Sequence, residues 1–462
     1  MKRLMRLIMM ALVWASPCVA QTISINWGTS QQTIDGFGAT TADTTLGTGM
    51  PSSLADFFFK DDGGNDIGLS ILRLQIIPST NECNSYFTAG NGYGYSDGCV
   101  STPTGAPSGT ILKGELATAQ AAKARGVTQF FASQWSPSGI YKTNGDYTSG
   151  GSLSPNADYA AIANEIAGFV TLLSGNGISL MAVSPQNEPD ISQTYPSCLW
   201  SAAQFDAFVP FLQIALAGKA GIILPENSNE VADYGGYAAT TMNDAAAGPY
   251  VKFLAQHGYG TGLNGIVPWN RYTAQHLWIT EDSSQSPTYD GSISDALGWA
   301  STIHQFLTVS QVNAFVWFFL SDEQFQGYGS DNAALTDISG NIPLRAFATG
   351  NWSKFVRPGW HRVGVTNSSP LLVTAFTDPS GTQSAIVVVN TSSSAVSGQV
   401  FSVGNQLGTT VTPWITSSTM SLASQSPVSI SSGAFTYTIP ASSIVTFTNK
   451  QFSLGHNRVV LF

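Results

Sequence analysis

From about Asp35 to Phe355, short apolar runs alternate with Ala-rich helical stretches, the strand-then-helix pattern that builds a parallel sheet. Eight runs carry it: Gly36 to Thr40, Leu69 to Gln75, Thr128 to Ser133, Leu180 to Asn187, Gly221 to Pro225, Phe253 to Tyr259, Leu277 to Thr280 and Ala314 to Phe319. Helical patterns lie between most of them, as at Gly114 to Arg125, Asp158 to Leu173, Ser201 to Ala217 and Ile293 to Leu307. Eight such units predict closure into a (β/α)8 barrel of the α/β class.

After about Pro358 the helices stop, and Ser/Thr/Val-rich alternating runs follow at Leu371 to Thr377, Ser384 to Asn390, Gly398 to Val403, Ala434 to Ile439 and Ser443 to Thr448. Short strands separated by regular turns predict a β-sandwich. Thr22 to Trp27 alternates in the same way and is expected to join it, so that two chain crossings tie sandwich to barrel. The expected division is a leader at 1–20, sandwich strand at 21–34, barrel at 35–357, sandwich at 358–453 and a tail at 454–462 without an evident place.

The leader has a basic start (Lys2, Arg3, Arg6), an apolar run from Leu7 to Ala15 and small residues before Gln21, the form of a cleaved secretory signal. The run is about half the roughly 20 residues a membrane anchor needs. An extracellular or periplasmic protein, off the membrane after cleavage, is expected. Without the leader, 15 Lys and Arg face 28 Asp and Glu, a net charge of −13. That balance argues against nucleic acid, which needs a basic face. Abundant Ser, Thr, Asn, Gly and aromatic residues suit a neutral polymer bound by stacking and hydroxyl contacts. Cys83, Cys99 and Cys198 leave one thiol over whichever two pair; Cys83 with Cys99 would close a Gly- and Tyr-rich loop. No Cys-x-x-Cys or His cluster suggests zinc, no phosphate loop or dinucleotide fingerprint appears, and neither a metal nor another cofactor is expected. A monomer is expected.

Barrel active sites sit where the strands end. The fourth run ends Ser184-Pro185-Gln186-Asn187-Glu188-Pro189 and the seventh ends Leu277-Trp278-Ile279-Thr280-Glu281, on strands that face each other across an eight-stranded barrel. Glycoside hydrolysis needs such a pair: an acid to protonate the leaving oxygen and a carboxylate to attack the anomeric carbon, about 5 to 5.5 Å apart in a retaining enzyme. Alone, Asn-Glu-Pro is a common string and Thr280-Glu281-Asp282-Ser283 reads as well as a helix cap. The argument rests on the pair.

Across nearly the whole chain beyond the leader, the sequence resembles glycoside hydrolase family 30. The resemblance is carried by Gln32 to Ala39, Leu69 to Arg73, Ala132 to Pro137, Val183 to Asp190, Ser197-Cys198-Leu199-Trp200, Leu277 to Glu281 and Lys354 to Gly359. It implies a barrel with a side β-sandwich and a retaining reaction, with Glu188 as acid/base and Glu281 as nucleophile. It further implies that Asn187 binds the sugar 2-hydroxyl and that Arg73 sits under the nucleophile, which overlaps with a plain interior salt bridge. Trp135 and Trp317 look like walls of the sugar site, although each could equally be barrel packing. Tyr259 is placed to hydrogen-bond the nucleophile, Trp200 to line a further subsite, and His257 is read as a structural histidine.

Within the family the chain looks most like the xylan-cleaving branch. Its glucuronoxylan-specific members carry basic residues just after the eighth-strand tryptophan, where this chain has Phe318 to Glu323. Acidic residues there repel a uronate, so β-1,4-xylan without a strict need for glucuronic acid is the expected substrate. The alternatives are β-1,6-galactan, β-1,6-glucan, a glucosylceramide-like lipid, or sugar binding without catalysis. A serine acyl hydrolase would need a Gly-x-Ser-x-Gly elbow that the sequence lacks.

Overall fold

The computed structural model describes residues 22–41, 50–76, 110–228, 236–260, 275–286, 288–321, 332–336 and 340–452. The leader, Cys83, Cys99, Asp322, Glu323 and the tail therefore lie outside the described residues. After an opening strand β1 (Ile23–Thr33), eight parallel strands close a barrel in chain order. They are β2 (Gly36–Thr40), β3 (Ile71–Ile76), β4 (Gln129–Gln134), β5 (Ala182–Ser184), β6 (Gly221–Asn227), β7 (Val251–His257), β8 (His276–Glu281) and β9 (Ala314–Trp317). The ring is sealed by β2 against β9, with Gly36 opposite Ala314 and Ala39 opposite Trp317. At Gly38 a Cβ would stand 2.5 Å from the Ile71 carbonyl oxygen, so only glycine lets β2 approach β3 this closely.

Every strand is covered on both faces, which is why the runs read as continuously apolar. Ile71, Phe131, Ala182, Ile223, Phe253, Trp278, Ala314 and Val316 fill the interior. Their neighbours, such as Leu72, Phe130, Leu277, Phe315 and Trp317, point the other way into the layer under the helices.

The helices are α1 (Ser52–Phe59), α2 (Thr110–Lys123), α3 (Tyr159–Gly175), α4 (Ala202–Leu216), α5 (Tyr237–Met242), α6 (Ile293–Gln305) and α7 (Leu344–Ser353). Two residues read as helix starts, Asp158 and Ser201, are N-caps: Asp158 accepts from the Ala161 N–H at 3.0 Å, and Ser201 forms a capping box with Gln204. The pattern of α1, α5 and α7 was not read from the sequence. Among the described residues no helix is long and apolar enough to cross a membrane.

The remaining strands are β10 (His361–Thr366), β11 (Leu372–Thr377), β12 (Ser384–Asn390), β13 (Val396–Ser402), β14 (Thr410–Ser417), β15 (Met420–Ser424), β16 (Val428–Ser429), β17 (Ala434–Ile439) and β18 (Ser443–Thr448). They form one mixed sheet in the order β15-β14-β18-β12-β11-β10-β1-β13-β17, with β16 on β14. Phe401 of β13 and Phe435 of β17 pack on Phe447 of β18 with ring centroids 5.1 and 5.0 Å apart. Strands five and six places apart in the sheet touch face to face only if it doubles back into a sandwich, and its interior is a core of its own. The strand β1 joins there, antiparallel to β10 and parallel to β13, as its alternation predicts.

Candidate active site

The parallel barrel brings its strand ends to one rim, and the two glutamates meet there. Glu281 is the last residue of β8. Glu188 lies four residues past β5 and is locked between neighbouring strands: the Asn187 N–H donates to the Gln134 carbonyl at 2.7 Å and the Glu188 N–H to the Glu226 carbonyl at 3.0 Å. A carboxylate oxygen of Glu188, one of Glu281 and a ring nitrogen of His257 all lie within 4.8 Å of one another. The cleft above them holds about 490 Å³, with Trp135, Tyr195, Tyr259, Ser283, Gln285 and Phe318 on its walls.

Beneath the pair, Arg73 from β3 is fully buried. Its Nη1 donates to Glu281 Oε2, its Nη2 to Asn187 Oδ1 at 2.6 Å and its Nε to Ser133 Oγ at 3.2 Å. Its Nη2 also stands 3.3 Å from Glu226 Oε1, and its guanidinium carbon lies 4.6 Å from the Trp135 ring centre. A planar fork with five donors can hold a nucleophile, an amide and a hydroxyl at once, which an ammonium cannot. The Tyr259 hydroxyl donates to the other nucleophile oxygen, Glu281 Oε1, at 2.9 Å. On Glu188 the Tyr195 hydroxyl donates to Oε2 at 2.9 Å, and His257 Nδ1 lies 3.2 Å from Oε1.

Burial pushes the Glu281 carboxyl above the ordinary carboxylate range; His257 and Arg73 pull it down, and Glu188 pushes it up again. Burial lowers the His257 pKa, but Glu281 and Glu188 together outweigh it and carry the imidazole above its usual value. The Tyr259 phenol is driven well up, by burial first and then by the Glu281 charge, and so stays a donor at any working pH. Burial also opposes the charge on Arg73, yet Glu226 and Glu281 hold it protonated. Glu188, His257 and Glu281 have ligand-like spacing, but Arg73 already supplies the cationic charge that a metal ion would bring there.

Arg73, Asn187, Trp135 and Tyr259 therefore gather around the two glutamates as the sequence suggested. Two aromatic expectations are overturned. Trp317 is fully buried on the outer side of β9, its indole N–H donating 2.7 Å to the Ala333 carbonyl and its ring 4.4 Å from that of Trp299. The cause is the two-residue period of a strand, and the ring that reaches the cleft is the next one, Phe318. Trp200 is buried against Phe205 and Phe208 of α4, at 5.2 and 5.1 Å, behind the acid/base loop and away from the cleft.

His257 is not a structural histidine, since its other nitrogen, Nε2, lies 3.7 Å from Glu281 Oε2 and the ring bridges both carboxyls. Two residues escaped the sequence reading. Tyr195 sits in an irregular loop with no pattern to mark it. Glu226 is the penultimate residue of β6, a carboxylate near a strand end that the criterion applied to Glu188 and Glu281 would have found. Cys198 is buried and unbridged, its thiol pushed up to about 12 by burial.

The sequence model of O-Glycosyl hydrolase family 30 matches residues 20–217. Glucuronoxylanase XynC of Bacillus subtilis (strain 168) is 27% identical over 440 residues, covering 93% of this chain and 92% of its own length. The glycoside hydrolase family 30 subfamily 8 xylanase Xyn30A from Clostridium acetobutylicum superposes with a TM-score of 0.74 at 29% identity, over 92% of this chain and 99% of that one. The endo-β1,6-glucanase BT3312 shares the fold alone, at a TM-score of 0.69 and 18% identity over 93% of this chain and 95% of its own. With the paired glutamates at the centre of that barrel, the similarity to glycoside hydrolase family 30 supports a glycosidase.

Proposed function

We propose that the protein is a secreted, retaining endo-β-1,4-xylanase that does not require glucuronic acid side groups. The observation that carries the retaining reading is the spacing of the Glu188 and Glu281 carboxylate oxygens, within 4.8 Å, which leaves no room for a water between them and suits direct attack. Glu281, fixed by Arg73 and Tyr259, attacks the anomeric carbon while Glu188 gives its proton to the departing oxygen. The covalent glycosyl ester is then cleaved by a water whose proton Glu188 takes back. Asn187, oriented by Arg73, meets the 2-hydroxyl, where a hydrogen bond strengthens as the ring approaches the oxocarbenium-like transition state.

The xylan reading draws on the two similar xylanases, and the neutral-substrate reading on the cleft itself. Among the described residues that line it there is no Lys or Arg, so a uronate entering would lose its water without gaining a cation. Signal cleavage and release from the cell follow from the leader alone.

The test is product release by the purified protein from unsubstituted xylan, glucuronoxylan, β-1,6-galactan and β-1,6-glucan, with Glu281→Gln as the blank and proton NMR of the first-formed anomer. Equal rates on both xylans with the β-anomer first are expected. Release from glucuronoxylan alone would overturn the neutral cleft, release from a β-1,6-linked polymer alone would overturn the substrate, and an α-anomer would overturn retention.

A further inference from the structure

Glu226 takes no part in the reaction as written, yet it is completely buried within the same charge cluster. The β6–β7 ladder slips there, with Pro225 opposite Ala255 but Asn227 opposite Gln256, so Glu226 is the extra residue of a bulge. Bulges at barrel rims re-aim side chains, and this one puts the Glu226 carboxylate 3.3 Å from Arg73. Glu226 and Glu188 both have left-handed backbones, with φ of 56° and 45°, a conformation that is unfavourable for an L-residue. The two are bonded to each other through the Glu188 N–H and the Glu226 carbonyl. Strain of this kind persists where the surroundings demand it, commonly at functional sites.

Burying an ionised carboxylate is strongly unfavourable unless a charge faces it. Burial opposes ionisation of Glu226, but Arg73, then His257 and the Ser184 and Ser133 hydroxyls, outweigh it and hold its pKa below the ordinary value. The charges then balance at both stages of the double displacement. Before attack, Arg73 and protonated His257 face Glu226 and Glu281, with Glu188 neutral. In the glycosyl-enzyme, Glu281 is a neutral ester and Glu188 has surrendered its proton to the leaving group, so the same two cations face Glu226 and Glu188. Without the Glu226 charge, both stages carry one uncompensated positive charge in a buried site.

We propose that Glu226 is a positioning residue of the catalytic centre, an ionised carboxylate whose charge balances Arg73 and His257 so that Glu188 keeps its proton beside the Glu281 carboxylate. The proposal rests on the retaining roles assigned above to Glu188 and Glu281. Among the described residues, Tyr259 and Tyr195 donate to these two carboxylates, and the buried Asp282 acts on Tyr259.

The experiment is the pH profile of kcat/KM on the polymer that the wild-type protein cleaves, for wild type, Glu226→Gln and Glu226→Asp. Glu226→Gln is expected to move both limbs to lower pH by about one unit and to lower kcat more than it changes KM. Glu226→Asp, which keeps the charge, is expected to return the limbs toward wild type. Lost activity with unmoved limbs would overturn the proposal and leave Glu226 a packing role. Should Glu226→Gln not fold, a neutron structure of the wild-type protein near neutral pH decides: Glu226 without a deuteron and His257 with one on each nitrogen are expected, and a deuterated Glu226 overturns the assignment. Glu281→Gln in the same series separates the two readings, because wild-type activity in that variant would sink the retaining roles whatever the limbs of Glu226→Gln do.

Discussion

At Glu188 both carboxylate oxygens have partners, Tyr195 on one and His257 on the other, and the reaction needs this group twice, as acid and then as base. Glu188→Ala removes both roles. Hydrolysis of polymer is expected to fall about 10²- to 10⁴-fold. The first step on a dinitrophenyl glycoside, whose leaving group needs no proton, is expected to stay within about tenfold of wild type, read as a burst of dinitrophenol. Equal loss on both substrates would remove Glu188 from the acid role. The glutamates were legible because a barrel turns every strand end toward one rim, so position in the chain translates into position in space. Trp317 was misread because one residue along a strand reverses the face, and the sequence alone does not mark which parity points inward. Tyr195 and His257 matter through contacts between loops and strands that only the closed barrel assembles.

Among the elements, α7 explains why part of the fold could not be read. Its residues from Arg345 to Ser353 are all buried, so the helix has no solvent face and no amphipathic stripe to betray it. It is wedged between barrel and sandwich, and two of its side chains, Asn351 and Trp352, reach sandwich threonines. Asn351 Nδ2 donates to Thr416 Oγ1 at 2.7 Å, Thr446 Oγ1 donates to Asn351 Oδ1 at 2.9 Å, and the Trp352 indole N–H donates to Thr374 Oγ1 at 3.1 Å. The sandwich strands β11, β12, β13, β17 and β18 were legible because turns bracket short β-branched or alternating runs, whereas β14 carries Pro413, which reads against a strand. Asn351→Leu keeps the branched shape but removes the side-chain bonds to both threonines, whose hydroxyls retain the Asn351 carbonyl and the Leu422 N–H, and is expected to cost about 1 to 3 kcal/mol. The measurement is a urea midpoint alongside activity per folded molecule, and the midpoint should fall with the activity unchanged. A midpoint within error of wild type would mean that these hydrogen bonds do not hold the two domains together.

For the whole molecule, the junction between barrel and sandwich is also an ionic one. Lys354, just past α7, reaches Asp66 at 2.7 Å, while Lys450, just past β18, grips both oxygens of Asp61 at 2.6 and 2.8 Å. Arg357 adds a contact to Asp61 at 3.3 Å. These groups sit in a dry seam, and the seam is costly for their charged forms. Burial raises the Asp66 pKa from 3.8 to about 6 against the pull of Lys354, and lowers that of Lys450 from 10.5 to about 8 against the pull of Asp61. The signs follow directly. An acid with a raised folded pKa contributes stability below its unfolded value and loses it as pH climbs through the folded one, so the Asp66 contribution fades between about pH 4 and pH 6. The depressed Lys450 contributes above its unfolded pKa and loses that as pH falls through about 8. Between these windows both groups are charged and the seam is at its least stable. Asp66→Asn removes the acid-side titration. The stability of wild type relative to this variant is expected to decline by about 2 to 3 kcal/mol from pH 4 to pH 7.5, measured by urea unfolding at each pH. A difference that stays flat across that range would mean that Asp66 titrates as it does in the unfolded chain and that its burial against Lys354 adds no pH dependence to the fold.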